Sequence, residues 1–122
     1  MNFSVNIRQT EDISVVELHG HLTSFEVGAL REAIQGLLKQ KRLNILLNLS
    51  SLQYLDSSGI GELVRNYMSV VKQGGTMKVV GLGPKVEAIL RITQLHQVFQ
   101  EFPDEQSAME SFPSSNPRSF LN

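Results

Sequence analysis

Residues 54–61 form the part of this chain best suited to chemistry. They read Tyr-Leu-Asp-Ser-Ser-Gly-Ile-Gly, after an apolar run and before a stretch of helical periodicity that begins at Ile60. This order places Asp56, Ser57 and Ser58 at a strand-to-helix turn. The first backbone N–H groups of a helix have no partner inside it and carry the positive end of its dipole. A phosphate on a serine is therefore favoured at this turn.

The other residues of the turn each have a functional and a structural interpretation. Asp56 either orients the Ser57 hydroxyl and helps a kinase to recognise it, or ends the strand and caps the next helix. Ser58 is a second candidate phosphate acceptor, although we favour a helix N-cap role for it. Gly59 and Gly61 are predicted to permit a close approach of backbone near the turn.

Two enzyme-like alternatives use the same residues. A serine at a strand-to-helix turn is typical of hydrolases, whose nucleophile lies in a Gly-x-Ser-x-Gly turn. Leu55 stands where the first of those glycines would be, and His96 is the only histidine after Ser57 that could serve as its base. Asp56 at a strand end is also typical of receiver domains. A receiver also needs acidic metal ligands near its first strand, whereas the acidic pair at residues 11–12 lies in a predicted hairpin turn. Both alternatives are disfavoured, and we predict that the protein is not an enzyme.

Metal and nucleotide sites are weakly indicated. His19 and His21 lie two residues apart on a predicted strand, but the chain has no cysteine and no third ligand close in sequence. The segment Gly81-Leu82-Gly83 lacks the third glycine of a dinucleotide-binding loop and is predicted to be a turn. No metal and no cofactor is predicted.

Composition favours a small protein that binds other proteins. The chain has 122 residues, is 41% hydrophobic and 19% charged, and carries a net charge of −1, as a soluble globular domain does. No basic stripe indicates nucleic acid, and no signal peptide or membrane segment is visible. We expect a cytoplasmic monomer or weak dimer without direct membrane contact. One domain is predicted over residues 1–112, followed by a disordered tail at residues 113–122.

Hydrophobic periodicity predicts an α/β fold. Alternating residues at 3–7 and 13–18 predict a hairpin, and a helix is predicted from Thr23, with Glu26 completing a capping box, to about residues 39–42. The apolar run 43–49 predicts the central strand. A second helix, another strand at 77–80, a short helix after Pro84, an edge segment near 98–102 and a helix at 105–111 follow. The expected fold is a small mixed β-sheet, with an N-terminal antiparallel hairpin plus parallel strands and with helices mainly on one side.

The second helix has a predicted inner and outer face. Its apolar residues recur at helical spacing: Ile60, Leu63, Val64, Tyr67, Met68 and Val71. The polar residues between them are expected to be exposed, and Glu62, Arg65 and Asn66 are candidates for a docking face. A plain solvated surface is the alternative for each.

The order of these elements and several short motifs resemble the STAS domain, and in particular bacterial anti-sigma factor antagonists. The resemblance runs from about Phe3 to Phe112, and its most specific parts are residues 48–49, 55–61, 74–77 and Gly81. It implies that Ser57, directly after the aspartate, is phosphorylated by an anti-sigma factor that is also a serine kinase. The family commonly has Gly-x-Leu-Asp before the first helix, whereas this chain has Thr23 at the aspartate position.

The resemblance implies a phospho-switch. The unphosphorylated chain would bind the anti-sigma factor and free the sigma factor, and the phosphorylated chain would release its partner. The residues expected at the partner interface are Thr23, Asp56, Ser57, Ser58, Gly59, Ile60, Glu62 and Arg65. The alternative is a STAS scaffold or transporter-accessory module that binds a fixed partner without a phosphorylation cycle.

Overall fold

The computed structural model describes residues 3–113. Their strands and helices follow one another in the predicted order. The strands are β1 Phe3–Thr10, β2 Ile13–Leu22, β3 Asn44–Leu55, β4 Thr76–Val80 and β5 Glu101–Phe102. The helices are α1 Val27–Lys39, α2 Ser57–Lys72, α3 Pro84–Ile92 and α4 Glu105–Glu110, with a short 3-10 turn at Leu95–Gln97 after α3. The predicted turn at residues 81–83 precedes α3, in which Pro84 is the first residue.

The five strands form one sheet in the order β1-β2-β3-β4-β5. β1 is antiparallel to β2, whereas β2, β3, β4 and β5 all run parallel to one another. The predicted mixed sheet and the central place of β3 are confirmed. β3 pairs with β4 only as far as Asn48, but with β2 as far as Leu55. The carboxyl end of β3 therefore extends beyond β4 and carries the chain to the start of α2.

Helices cover the two faces of the sheet unequally. α1, α2 and α3 pack on one face, where their buried leucine, isoleucine and valine side chains meet alternate strand residues such as Val16 and Leu47. The opposite face, which includes Val15 and Leu46, is covered by the short helix α4 through Ala108. The expectation of helices mainly on one side is confirmed. Burial of both faces explains why β3 reads as a nearly continuous apolar run.

The start of α1 differs from its prediction. The helix begins at Val27, and its N-cap residue, Glu26, makes no side-chain capping bond. Thr23 lies in a preceding turn, in which its carbonyl oxygen accepts a bond from the Glu26 N–H at 3.0 Å. Its hydroxyl donates to Glu26 Oε2 at 2.8 Å. The predicted capping box at Thr23 is wrong, because the backbone turns once more before it becomes helical.

Residues 114–122 of the predicted disordered tail lie outside the described residues. Within residues 3–113, none of the helices combines the length and the hydropathy that crossing a bilayer demands.

Candidate functional site

Asp56 connects the start of α2 to the end of β2 and to the turn after it. Its backbone is extended, and its Oδ1 accepts a bond from the Gly59 N–H at 2.9 Å, as an N-cap side chain does. Its Oδ2 accepts from the Ser24 N–H at 3.3 Å, and its own N–H donates to the Leu22 carbonyl at 3.2 Å. The structural interpretation of Asp56 is confirmed. The N-cap role predicted for Ser58 is wrong, because Asp56 occupies that position.

Ser57 is the first residue of α2, and its side chain is exposed. Ser58, the second residue, is half-buried. An exposed hydroxyl at the first position of a helix of 16 residues lies beside free backbone N–H groups and the positive end of the helix dipole. This geometry suits a phosphate on Ser57 better than one on Ser58.

Gly59 allows the start of α2 to approach β2. A side-chain carbon added to Gly59 would lie 2.3 Å from the Leu22 carbonyl oxygen and 3.1 Å from the Leu55 Cβ. No larger residue fits without a backbone shift, so the predicted close approach is confirmed at Gly59. At Gly61 the nearest atoms belong instead to the guanidinium of Arg65, at 3.3 Å from the position of such a carbon.

A buried carboxylate joins α1 to α2 behind the serine. Glu62 is 0% exposed, and it accepts bonds from Arg31 Nε at 3.0 Å, Arg31 Nη2 at 3.1 Å and Arg65 Nε at 3.1 Å. Burial alone would raise the pKa of the Glu62 carboxyl, but the hydrogen bonds from Arg31 and Arg65 outweigh it and hold that pKa below its usual value. Asn66 is buried too and donates to the Glu62 carbonyl at 2.7 Å. The predicted exposure of Glu62 and Asn66 is therefore wrong.

Two large apolar side chains are exposed on the turn before α1 and on α2. Phe25 is 89% exposed and lies in the turn that the Asp56 carboxylate holds against the start of α2. Met68, predicted to belong to the inner face of α2, is 62% exposed. Sequence analysis passed over Phe25, although this residue lies outside the apolar stripe of α1 and could have been recognised as unaccounted for.

The residues expected at a partner interface differ in their exposure. Ser57 and Arg65 are exposed, and Asp56, Ser58 and Ile60 are half-buried. Three more are buried: Thr23, Gly59 and Glu62. These three position the backbone and the arginines and cannot present their own side chains to a partner.

The two histidines considered as metal ligands lie on β2, and the one considered as a base lies in a different element. His19 is on β2 with its ring 3.9 Å from Glu17, and His21 packs edge-on against Tyr54 with ring centroids 6.0 Å apart. His96 lies in the 3-10 turn after α3. Within residues 3–113, no cluster of three or more side chains suited to holding a metal ion occurs.

Comparison with known proteins identifies the family of this chain. Residues 4–108 match the family model of the STAS domain, so the chain belongs to the STAS domain family. The anti-sigma-B factor antagonist of Bacillus subtilis is 30% identical over 98 residues, which cover 80% of this chain and 89% of the relative. The anti-sigma F factor antagonist of Paenibacillus polymyxa is 26% identical over 110 residues, which cover 89% and 94%.

Solved structures share the fold. An anti-sigma factor antagonist from Mycobacterium paratuberculosis superposes with a TM-score of 0.81 at 23% identity, over 91% of this chain and 94% of that one. The Bacillus cell fate determinant SpoIIAA in its phosphorylated form superposes with a TM-score of 0.68 at 21% identity, over 89% and 97%. At these identities the likeness is one of fold alone.

Proposed function

We propose that this STAS domain is an anti-sigma factor antagonist that acts as a serine phospho-switch. In its unphosphorylated form it binds an anti-sigma factor that is also a serine kinase, in the cytoplasm, and so frees a sigma factor. In its form phosphorylated at Ser57 it releases that partner. The observation that carries the proposal is the exposed Ser57 hydroxyl at the first position of α2, directly after the Asp56 cap. The names of the two curated relatives support the antagonist role.

The proposed modification is an ordinary phosphoryl transfer in which this chain is the substrate. The Ser57 Oγ attacks the γ-phosphorus of ATP held by the kinase, and an O–P bond forms as the bond to ADP breaks. The hydroxyl proton passes to a base on the kinase. The catalytic groups of this step belong to the kinase, and this chain takes part only as the substrate.

The fold tolerates the added charge. A phosphate adds about −1.5 to −2 charges at neutral pH, and a helix N-terminus stabilises an anion by about 0.3–1 kcal/mol, or up to about 2 in sheltered geometry. The nearby Asp56 carboxylate opposes it, by about 3 kcal/mol per pair of unit charges at about 5 Å and an effective dielectric of about 20. Water and the two backbone N–H groups that bind Asp56 reduce this repulsion. Phosphorylation is therefore expected to change the surface and to leave the fold intact.

The partner is proposed to dock on the surface around Ser57. We define this docking face by Phe25, Arg31, Ser57, Arg65 and Met68. Aromatic, methionine and arginine side chains are enriched in protein interfaces, and arginine is also frequent among binding hot spots. A phosphate on this face would place a dianion in the interface where the docked protein has no group to pair with it. A loss of about 3–4 kcal/mol corresponds to binding weaker by two to three powers of ten.

The test is affinity capture from cells of the source organism with three baits, which are the wild-type chain, Ser57→Ala and Ser57→Asp. We expect the first two to capture an ATPase-like serine kinase, and Ser57→Asp to lose it by a factor of about one hundred or more. The captured kinase, incubated with ATP, is expected to phosphorylate the wild-type chain at Ser57, as mapped by mass spectrometry.

Ser58 provides the matched control. Ser58→Asp adds the same charge one residue away on a half-buried side chain, and Ser58→Ala should still be phosphorylated. Equal capture by Ser57→Asp and Ser57→Ala would reject the switch and favour a STAS module that binds a fixed partner. A changed far-UV spectrum for Ser57→Asp would reject a surface mechanism.

A further inference from the structure

The two arginines that bind Glu62 are held in different ways. Arg31 meets the carboxylate with two parallel bonds, from Nε to Oε2 and from Nη2 to Oε1, so it satisfies both carboxylate oxygens by itself. Arg65 adds one bond, from its Nε to Oε1. Because guanidinium has five N–H donors, most donors of Arg65 remain available.

The free end of Arg65 points along α2 toward Ser57. Its Nη1 and Nη2 atoms lie 3.3 and 3.4 Å from where a side-chain carbon on Gly61 would be. Ser57, Gly61 and Arg65 are spaced by four residues, so they lie on one face of the helix, with one turn of about 5–6 Å between neighbours. The absence of a side chain at Gly61 lets the long arginine lie back over the helix. The guanidinium thus lies over Gly61, which is one turn of helix from Ser57.

We propose that Arg65, oriented by Glu62 and Gly61, binds the phosphate of phosphorylated Ser57 within the same chain. The ligand class is a phosphate monoester, and the contact is a charge-assisted pair between guanidinium N–H groups and phosphate oxygens. Arg31 keeps the buried Glu62 carboxylate satisfied while Arg65 turns its Nη groups to the phosphate. This inference rests on the proposed function, since it concerns the phosphorylated state of the same serine.

The pairing gives phosphorylation a second effect on the docking face. Before phosphorylation, the cluster of Arg31, Glu62 and Arg65 carries one net positive charge, and both arginine side chains are more than half exposed, at 56% and 61%. After phosphorylation, the phosphate covers Arg65 and reverses the sign of the local charge. A partner that uses this cation would lose it at the same step at which it meets the phosphate.

Other charges near Ser57 act on the phosphate as well. The α2 dipole favours the dianion, whereas Asp56 at the cap and Glu26 in the adjoining turn oppose it. The test must therefore change Arg65 and leave those groups in place.

The experiment measures the second ionisation of phosphoserine at position 57 by ³¹P NMR titration. Phosphoserine is inserted during translation, so no kinase is needed. A cation beside the phosphate stabilises its dianion, so Arg65→Gln is expected to raise the second pKa of the phosphate by about half a unit to one unit. Arg65→Lys is expected to restore part of the difference. Gly61→Val, which retains both arginines and fills the space under Arg65, is expected to raise the phosphate pKa as well.

Arg91→Gln is the matched control. Arg91 is also 61% exposed and also binds a carboxylate through Nε, that of Glu87 at 3.2 Å, but it lies on α3. Arg91→Gln should therefore leave the phosphate pKa unchanged. An Arg65→Gln titration that matches the unsubstituted phosphoprotein would overturn this inference and leave the proposed function standing. Equal kinase binding by Ser57→Ala and Ser57→Asp would instead reject the proposed function, whatever the titration shows.

Discussion

Helices α1 and α2 pack on the same face of the sheet, but only in α1 do the buried residues match those that the apolar periodicity of the sequence predicts. In α1 the buried positions are the apolar ones that the helical period predicts: Leu30, Ile34, Leu37 and Leu38. In α2 the buried set includes Glu62 and Asn66, while Met68 and Val71 are exposed. The inner face of α2 is turned by about one residue from the face that its apolar residues predict.

The difference has a physical cause in what each helix meets. Buried polar groups are tolerated only when they are hydrogen-bonded, and a buried charge needs a partner. Glu62 has two arginines, and Asn66 donates to the backbone of the preceding turn. The polar inner edge of α2 faces α1, and the exposed apolar residues of α2, Met68 and Val71, lie toward its carboxyl-terminal end. The irregular helix is the one that carries the proposed phosphorylation site, as expected where surface is reserved for a partner.

The largest effect on the free energy of unfolding should come from truncating an inner apolar residue of α2, in contrast to the same truncation of an outer one. Leu63 is buried in the core, so Leu63→Ala is expected to lower the free energy of unfolding by about 2–5 kcal/mol. Met68→Ala, on the exposed side, should change it by less than about 0.5 kcal/mol. Urea unfolding followed by circular dichroism measures both. Similar losses from the two substitutions would contradict the observed rotation of α2.

Replacing a glycine by alanine should change the free energy of unfolding in opposite directions in the two helices. Gly59→Ala places a carbon against the Leu22 carbonyl oxygen, and we expect it to cost about 2–3 kcal/mol of unfolding free energy. Gly36, inside α1, has no atom within 4 Å of an added carbon, so Gly36→Ala should stabilise by about 0.5–1 kcal/mol. Thermal and urea unfolding of the two variants check the pair. Stabilisation by Gly59→Ala would show that α2 does not approach β2 as described.

Sequence reasoning succeeded where a signal is local. The hairpin, the central strand β3 and the position of Ser57 at a strand-to-helix turn all follow from short patterns of apolar residues and from the residues that break them. The burial of Glu62 could not be predicted in this way, because it depends on Arg31, which is 31 residues away. Thr23 was misjudged for a related reason. Its hydroxyl and its carbonyl both bond to Glu26 in a turn, and capping-box spacing does not distinguish that turn from a helix start.

The smallest effect is the loss of unfolding free energy when the Glu62 carboxylate is removed, and its dependence on pH. This effect is the most specific to the polar contact between α1 and α2. The pKa of Glu62 in the folded chain lies below the ordinary value of 4.5, because the bonds from the two arginines outweigh the cost of burial. A carboxyl of this kind stabilises the fold fully above its unfolded pKa, and the contribution is lost as pH falls through the folded pKa. Glu62→Gln should therefore lower the free energy of unfolding at pH 7 by about 1–2 kcal/mol.

That difference between wild type and Glu62→Gln should narrow when the same urea unfolding is repeated at acid pH, because the stabilisation from the ionised carboxylate is lost as pH falls through its folded pKa. Glu87→Gln removes a carboxylate that also binds an arginine, but that pair lies on the exposed surface of α3 and should matter by less than about 0.5 kcal/mol. A gap for Glu62→Gln that is equally wide at both pH values would mean that lost packing, and not lost charge, causes the destabilisation. The contact between α1 and α2 would then depend on the shape of Glu62 alone, and the orientation of Arg65 toward Ser57 would need another cause.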